Sequence, residues 1–216
     1  MKSARAWLFD LDGTLADTAP DLVAAANALR VARDMDPLPL TTLRGEASNG
    51  ARGLIDKALG IGPEDASFPA ARADFLQHYA DNLHAQTRLF PRMQALLQSL
   101  EEQGTPWGIV TNKPIALARP LVKALQLKPA VLLGGDSGSQ PKPDPGLLWL
   151  AAAHLRLNPA HCLYLGDAPR DIEAGHRAGM HTVACGWGYI ETCPDPADWG
   201  ADLYARAVDD LQALLP

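Results

Sequence analysis

The chain has 216 residues, 47% hydrophobic and 20% charged, with a net charge of -6. This composition supplies a full core and excludes intrinsic disorder, and the length suits one domain or one domain carrying a smaller insert. The acidic balance, without any Lys/Arg cluster, excludes the electrostatic footprint of a nucleic-acid binder.

The first predicted element is an apolar strand, Trp7-Leu8-Phe9, that runs straight into Asp10-Leu11-Asp12-Gly13-Thr14. Residues i and i+2 of a strand point to one side, so Asp10 and Asp12 converge at its exit. Two carboxylates that close raise one another's pKa unless something relieves them. A magnesium ion, or a nucleophile paired with a protonated acid, would do so; an Asp-rich turn or helix cap is the plainer alternative. Helical patterns follow over 21–33, 53–59 and 69–86, with a Pro/Asp-rich break at 34–40 and Gly60-Ile61-Gly62-Pro63 between the last two. With no strand pattern between 16 and 86, that stretch reads as an all-helical block inserted after the first strand.

From Phe90 onward the order alternates. Helices are expected over 93–103, 115–127 (with Pro120 as a kink or a late start), 145–157, 171–178 and 208–215. Short apolar strands fall between them at 107–111, 130–133, 162–165 and 181–185. Such alternation predicts an α/β fold: a Rossmann-like parallel sheet with helices on both faces, plus the inserted helical block. In such a sheet, ligands bind beyond the carboxyl ends of the strands. Polar residues collect there: Asp10 and Asp12 after the first strand, Thr111-Asn112-Lys113 after the second, and Gly166-Asp167 after the fourth. Lys142, between two prolines, follows the third.

Asp10, Asp12, Asp167 and Asp171 offer the hard oxygen donors that Mg²⁺ requires, and Lys142 and the Thr111 hydroxyl suit phosphate oxygens. Taken singly, each has an ordinary explanation: a strand-to-turn transition at Thr111-Asn112, a solvated loop lysine at 142, a helix cap at 167–171. Cys162, Cys185 and Cys193 fit no paired metal or redox spacing and read as buried free thiols. The six histidines lack i, i+4 spacing, so no zinc site is expected. Residues 1–5 are too short for a signal peptide and no apolar run is long enough to span a bilayer. A soluble cytoplasmic protein without membrane partners is therefore expected; oligomeric state is not readable.

Together, Asp10-Leu11-Asp12-Gly13-Thr14, Thr111-Asn112, Lys142 and Gly166-Asp167 with Asp171 resemble, in order, the four motifs of the haloacid dehalogenase superfamily of aspartate-nucleophile phosphohydrolases. The resemblance implies a core of residues 1–15 and 87–216 and a helical cap of the C1 type over 16–86. It implies that Asp10 is the nucleophile, forming an aspartyl-phosphate, and Asp12 the acid/base. Thr111 and Lys142 would hold phosphoryl oxygens. Mg²⁺ would be bound by the Asp10 carboxylate, the Asp12 carbonyl and Asp167, with help from Asp171. Gly13, Thr14 and Asn112 carry over as substrate-binding residues. In the segment from Arg44 to Arg52, glycines allow close backbone approach and either arginine could grip a carboxylate.

An acid at position 12 favours phosphate-ester hydrolysis over dehalogenation. Asp17-Thr18 and Thr111-Asn112-Lys113-Pro114 look most like the phosphoglycolate phosphatase branch. Gly188-Tyr189-Ile190 and the stretch from Asp198 to Asp202 also resemble N-acetylmuramate 6-phosphate phosphatases. The expected substrate is a small phosphate ester, most of all a carboxylated one. A sugar phosphomutase and a non-catalytic binding module are the competing readings. Trp187 is expected in the core, and Tyr189 is a candidate for the cleft entrance.

Overall fold

The computed structural model describes residues 4–138, 140–191 and 195–215. Six strands form one parallel sheet: β1 (Ala6–Phe9), β4 (Trp107–Val110), β5 (Val131–Leu133), β6 (Cys162–Gly166), β7 (His181–Cys185) and β8 (Leu203–Ala205). Their order is β5-β4-β1-β6-β7-β8. β1 is wholly buried because both sheet faces are covered. Its alternation sends Trp7 and Phe9 into one apolar cluster and Ala6 and Leu8 into the other. β6 repeats this, with Leu163 and Leu165 on one face and Cys162 and Tyr164 on the other.

From β1 the sheet grows outward through β4 and β5, then on the other side through β6, β7 and β8. The carboxyl end of β1 therefore faces the crevice where the strand order reverses, the place such sheets bind ligands. Helices α5 (Met93–Glu102), α6 (Ile115–Ala124), α7 (Gly146–His154) and α8 (Pro169–Ala178) complete the layers.

Two short strands, β2 (Ala16–Asp17) and β3 (Arg88–Leu89), pair antiparallel and frame the helical block. The block holds α1 (Ala19–Val31), α2 (Leu40–Leu43), a 3-10 turn (Arg44–Asn49), α3 (Gly50–Leu59) and α4 (Phe68–Asp81). α3 stops at Gly60, whose φ of 69° closes it in the left-handed region.

The sequence expectations differ from the structure in several places. β2, β3 and β8 carry no readable pattern, being two or three residues long. The helix expected at 208–215 is a 3-10 helix, Val208–Leu214. The helix expected over 69–86 ends at Asp81. α6 begins at Ile115, the expected position, and so does not start late at Pro120, which lies on the exposed side, where water can satisfy the carbonyl its missing N–H leaves unpaired. Among the described residues no helix is long and apolar enough to cross a membrane. Cys162 and Cys185 are free and buried, and burial pushes the Cys162 thiol up to about 11; Cys193 lies outside the described residues.

Candidate active site

Asp10 directly follows β1 and extends its ladder by one bond, its N–H donating to Leu165 O at 2.9 Å. The chain then turns, and Gly13 adopts a φ of +82° that side chains rarely tolerate. Space is as tight as conformation here. A Cβ on Gly13 would stand 2.1 Å from Asp167 Oδ2, and one on Gly166 would stand 2.3 Å from Asp171 Cβ. Gly188 likewise faces Asp167 Cβ at 2.3 Å. Three glycines thus make room for two buried acids.

Carboxylate oxygens of Asp10, Asp167 and Asp171 all lie within 4.8 Å of one another. Lys142 is in direct contact with this group, and Arg170 acts on Asp167 and Asp171 as a second nearby cation. Lys142 Nζ lies 2.9 Å from Asp10 Oδ1 and 2.6 Å from Asp171 Oδ1, and also meets the Tyr164 hydroxyl at 2.8 Å. The Asp10 contact is an ion pair rather than an aligned hydrogen bond, so Asp10 Oδ1 is buried without a hydrogen-bond partner. Burial alone would depress the Lys142 ammonium; Asp10 and Asp171 hold it above its ordinary range. Asp171 is tied back by the Ala168 N–H at 3.1 Å. Asp167 accepts from Thr14 Oγ1 at 3.0 Å and from the Tyr189 N–H at 2.8 Å. Burial, then Asp10 and Asp171, push its carboxyl up to about 8. Three carboxylates against Lys142 and the nearby Arg170 still leave a charge deficit, and oxygen donors suit a hard divalent cation. The residues present therefore fit Mg²⁺.

Asp12 sits beside this group. Its Oδ1 accepts from Lys113 Nζ at 2.7 Å and from Thr18 Oγ1 at 2.6 Å. Lys113 is buried, and its Nζ stands 4.6 Å from the Tyr79 ring centroid, a cation–π contact with α4. Burial depresses the Lys113 ammonium, yet Asp12 more than offsets this and holds it high. Burial also raises the Tyr79 hydroxyl to about 12.

Asp10, Asp12, Thr111 and Asn112 line a cavity of about 690 Å³ between the strand ends and the helical block. Across from them stand Ser48, Arg52, Arg72 and Tyr79 of the block. Thr111 Oγ1 accepts from the Lys113 N–H at 3.2 Å. The Asn112 side chain exchanges two bonds with the Lys142 backbone, at 2.8 and 3.0 Å, so it also fixes the lysine's loop.

Other expected substrate contacts are placed differently. Gly13 and Thr14 lie behind Asp167, outside the cavity lining. Arg44 is also outside it: Nη1 binds both Asp17 oxygens at 3.0 Å, Nε lies 3.7 Å from Glu191, and the guanidinium covers the Tyr189 ring. Arg52 does line the cavity. Tyr189 is fully buried rather than at an entrance, and Trp187 packs on the core with Nε1 donating to Thr14 O at 3.0 Å.

Sequence reasoning assigned no role to Lys113, Tyr164, Tyr79, Arg72 or Arg170. Lys113 was findable, since it stands in the polar run after β4. Arg170, immediately before Asp171, donates to Ser48 O and Ser48 Oγ, tying α8 to the 3-10 turn. Tyr164 and Tyr79 sit in apolar patterns, and only their hydroxyl or ring surroundings distinguish them from core.

A doubly wound parallel sheet with its carboxylates gathered around one lysine at the switch point defines an α/β enzyme core, working at the carboxyl ends of its strands. Within that class the lineage is specific. The chain belongs to the haloacid dehalogenase-like hydrolase family, whose model matches residues 7–185. It is 41% identical to an N-acetylmuramic acid 6-phosphate phosphatase of Pseudomonas putida, over 92% of this chain and 90% of that one. It is 42% identical to a phosphoglycolate phosphatase of Xanthomonas campestris pv. campestris, over 98% and 96%. A crystal structure of a predicted phosphoglycolate phosphatase from Haemophilus somnus superposes with a TM-score of 0.85 at 28% identity, covering 99% of both chains.

Proposed function

We propose that the protein is a Mg²⁺-dependent phosphatase of small, carboxylated phosphate monoesters, working in the cytoplasm through an aspartyl-phosphate. The observation that carries this reading is Asp10. It ends the central strand, faces the cavity, contacts Lys142, and has Asp12 two residues on. Two buried, unpaired thiols are in keeping with a reducing compartment.

Asp10, the Asp12 carbonyl, Asp167 and Asp171 would hold Mg²⁺, which when bound offsets their charge and that of the phosphate. Asp10 attacks phosphorus in line; the Asp10–phosphorus bond forms as the ester oxygen–phosphorus bond breaks. Asp12 gives the departing oxygen its proton. Water then attacks the phosphorus and gives its proton to Asp12, and the Asp10–phosphorus bond breaks to release inorganic phosphate. The Thr111 hydroxyl donates to a phosphoryl oxygen, and Lys142 keeps Asp10 oriented. Residues 16–86 act as the cap over a core of residues 1–15 and 87–216; entry and exit of the chain through the β2–β3 pair support that division. Arg52 faces the leaving group from the cap and takes its carboxylate.

A second reading concerns size. A cavity of about 690 Å³ is in the range that holds drug-sized ligands and far exceeds a two-carbon acid. This favours a sugar-sized ester such as N-acetylmuramate 6-phosphate over phosphoglycolate. Phosphate release from these two esters and from p-nitrophenyl phosphate, with Mg²⁺ and with EDTA, tests both readings. Turnover is expected only with Mg²⁺, and failure on every ester ends the phosphatase reading. Asp10→Asn should lower kcat by about 10³-fold or more; unchanged turnover would remove Asp10 as nucleophile. Activation by a sugar bisphosphate with little phosphate release would mark a mutase instead.

A further inference from the structure

We infer that Lys113 is a positioning residue for Asp12, and that α4 keeps it in place through Tyr79. The inference rests on the phosphatase reading and goes beyond it, because it ties the acid/base step to the helical block.

The geometry at Asp12 is lopsided. Both donors, Lys113 Nζ at 2.7 Å and Thr18 Oγ1 at 2.6 Å, bind the same oxygen, Oδ1. Among the described residues none donates to Oδ2. A carboxylate held by two donors on one oxygen cannot swing freely about its last torsion, and its other oxygen is left to exchange a proton with substrate. Thr18 comes from the start of α1 and Lys113 from the loop after β4, so the carboxylate is gripped from two sides of the crevice. A buried lysine side chain needs more than one contact to hold a single rotamer, and the Tyr79 ring supplies the second at 4.6 Å. α4 therefore reaches the acid/base group without touching it. Asp12 is in its working orientation only while the helical block sits on the sheet.

The reaction itself provides a readout that loss of structure would not reproduce. An alkoxide leaving group needs a proton in the transition state; p-nitrophenolate leaves without one. Lys113→Met should therefore lower kcat/KM, which reports the steps up to release of the alcohol, on N-acetylmuramate 6-phosphate or phosphoglycolate by about 10²-fold, in the range of general-acid contributions. Its kcat/KM on p-nitrophenyl phosphate should stay within about threefold; kcat is not the readout, because water attack on the aspartyl-phosphate uses Asp12 whichever ester was cleaved. Tyr79→Leu should show the same selectivity with a smaller loss, and it decides the matter if Lys113→Met does not fold. Equal losses in kcat/KM on alkyl and aryl esters, or none on either, would overturn the positioning role while leaving the phosphatase reading intact. Wild-type protein that turns over neither kind of ester would overturn both.

Discussion

Lys142 shows how one side chain can hold a site together. Its ammonium is buried against Asp10, Asp171 and Tyr164, and the carboxylates keep it charged where burial alone would not. Removing one partner of a buried ion pair leaves the others unpaired, a loss of about 3–5 kcal/mol. Lys142→Met should accordingly lower the urea midpoint by that equivalent as well as abolish turnover; a midpoint within error of wild type would show the pair to be energetically idle. Arg52 is the contrasting case, exposed on α3 and facing the cavity. Arg52→Ala should raise KM for a carboxylated ester about tenfold and for p-nitrophenyl phosphate hardly at all, measured side by side. The sequence exposed Lys142 because a lone lysine between prolines after a strand is conspicuous. It placed Arg44 beside Arg52 as a grip for substrate, because Asp17, Glu191 and Tyr189, which hold it instead, lie at 17 and beyond 188, remote in the chain.

The elements around the site are joined by buried polar ties. α1 begins without a side-chain cap of its own; the Tyr189 hydroxyl accepts from the Thr18 and Ala19 N–H groups at 2.6 and 2.8 Å and takes over that task. Two residues into α1, Asp21 is buried and accepts from the Gln86 and Thr87 N–H groups and from Thr87 Oγ1 at 2.7 Å. The start of the helical block is thereby fastened to its end. Asp21→Ala would orphan three donors, so a loss of about 1–3 kcal/mol is expected in chemical unfolding. An unchanged midpoint would mean that water replaces the carboxylate without cost. Neither tie was legible from sequence, because pairings 65 or more residues apart leave no local pattern. β8 was missed for a related reason: three edge residues, two of them half-buried, form a strand only because β7 offers its edge.

At the scale of the whole molecule, the fold brings three carboxylates, from two strand ends and the first turn of α8, into one buried crevice, and this has a pH signature. Asp167 titrates near 8 when folded against an ordinary value of 3.8. Between those limits the folded protein binds the extra proton, so its contribution to stability is full below about pH 4 and lost as pH rises through 8. Metal-free protein should therefore lose stability over that window through this group. Mg²⁺ should restore it, and by more at pH 8 than at pH 5.5. At 100 times its Kd, a ligand of the folded state adds about 2.7 kcal/mol, or about 5–10 °C in Tm for a chain of this size. Thermal unfolding in EDTA and in Mg²⁺ at the two pH values measures this; an equal Mg²⁺ effect at both would remove Asp167 from the metal site.

The sequence by itself determined the alternation of strand and helix, the helical insertion, and the family motifs at the strand ends. Those features are local: apolar periodicity and residues a few positions apart report them directly. Only the tertiary structure decided which charges meet. It placed Lys142 on Asp10 and Asp171, gave Lys113 to Asp12 and Tyr79, turned Arg44 away from the cavity, and buried Tyr189 as a cap for α1. Such choices depend on side chains brought together from remote parts of the chain, where burial removes water as an alternative partner and each buried charge must find its match.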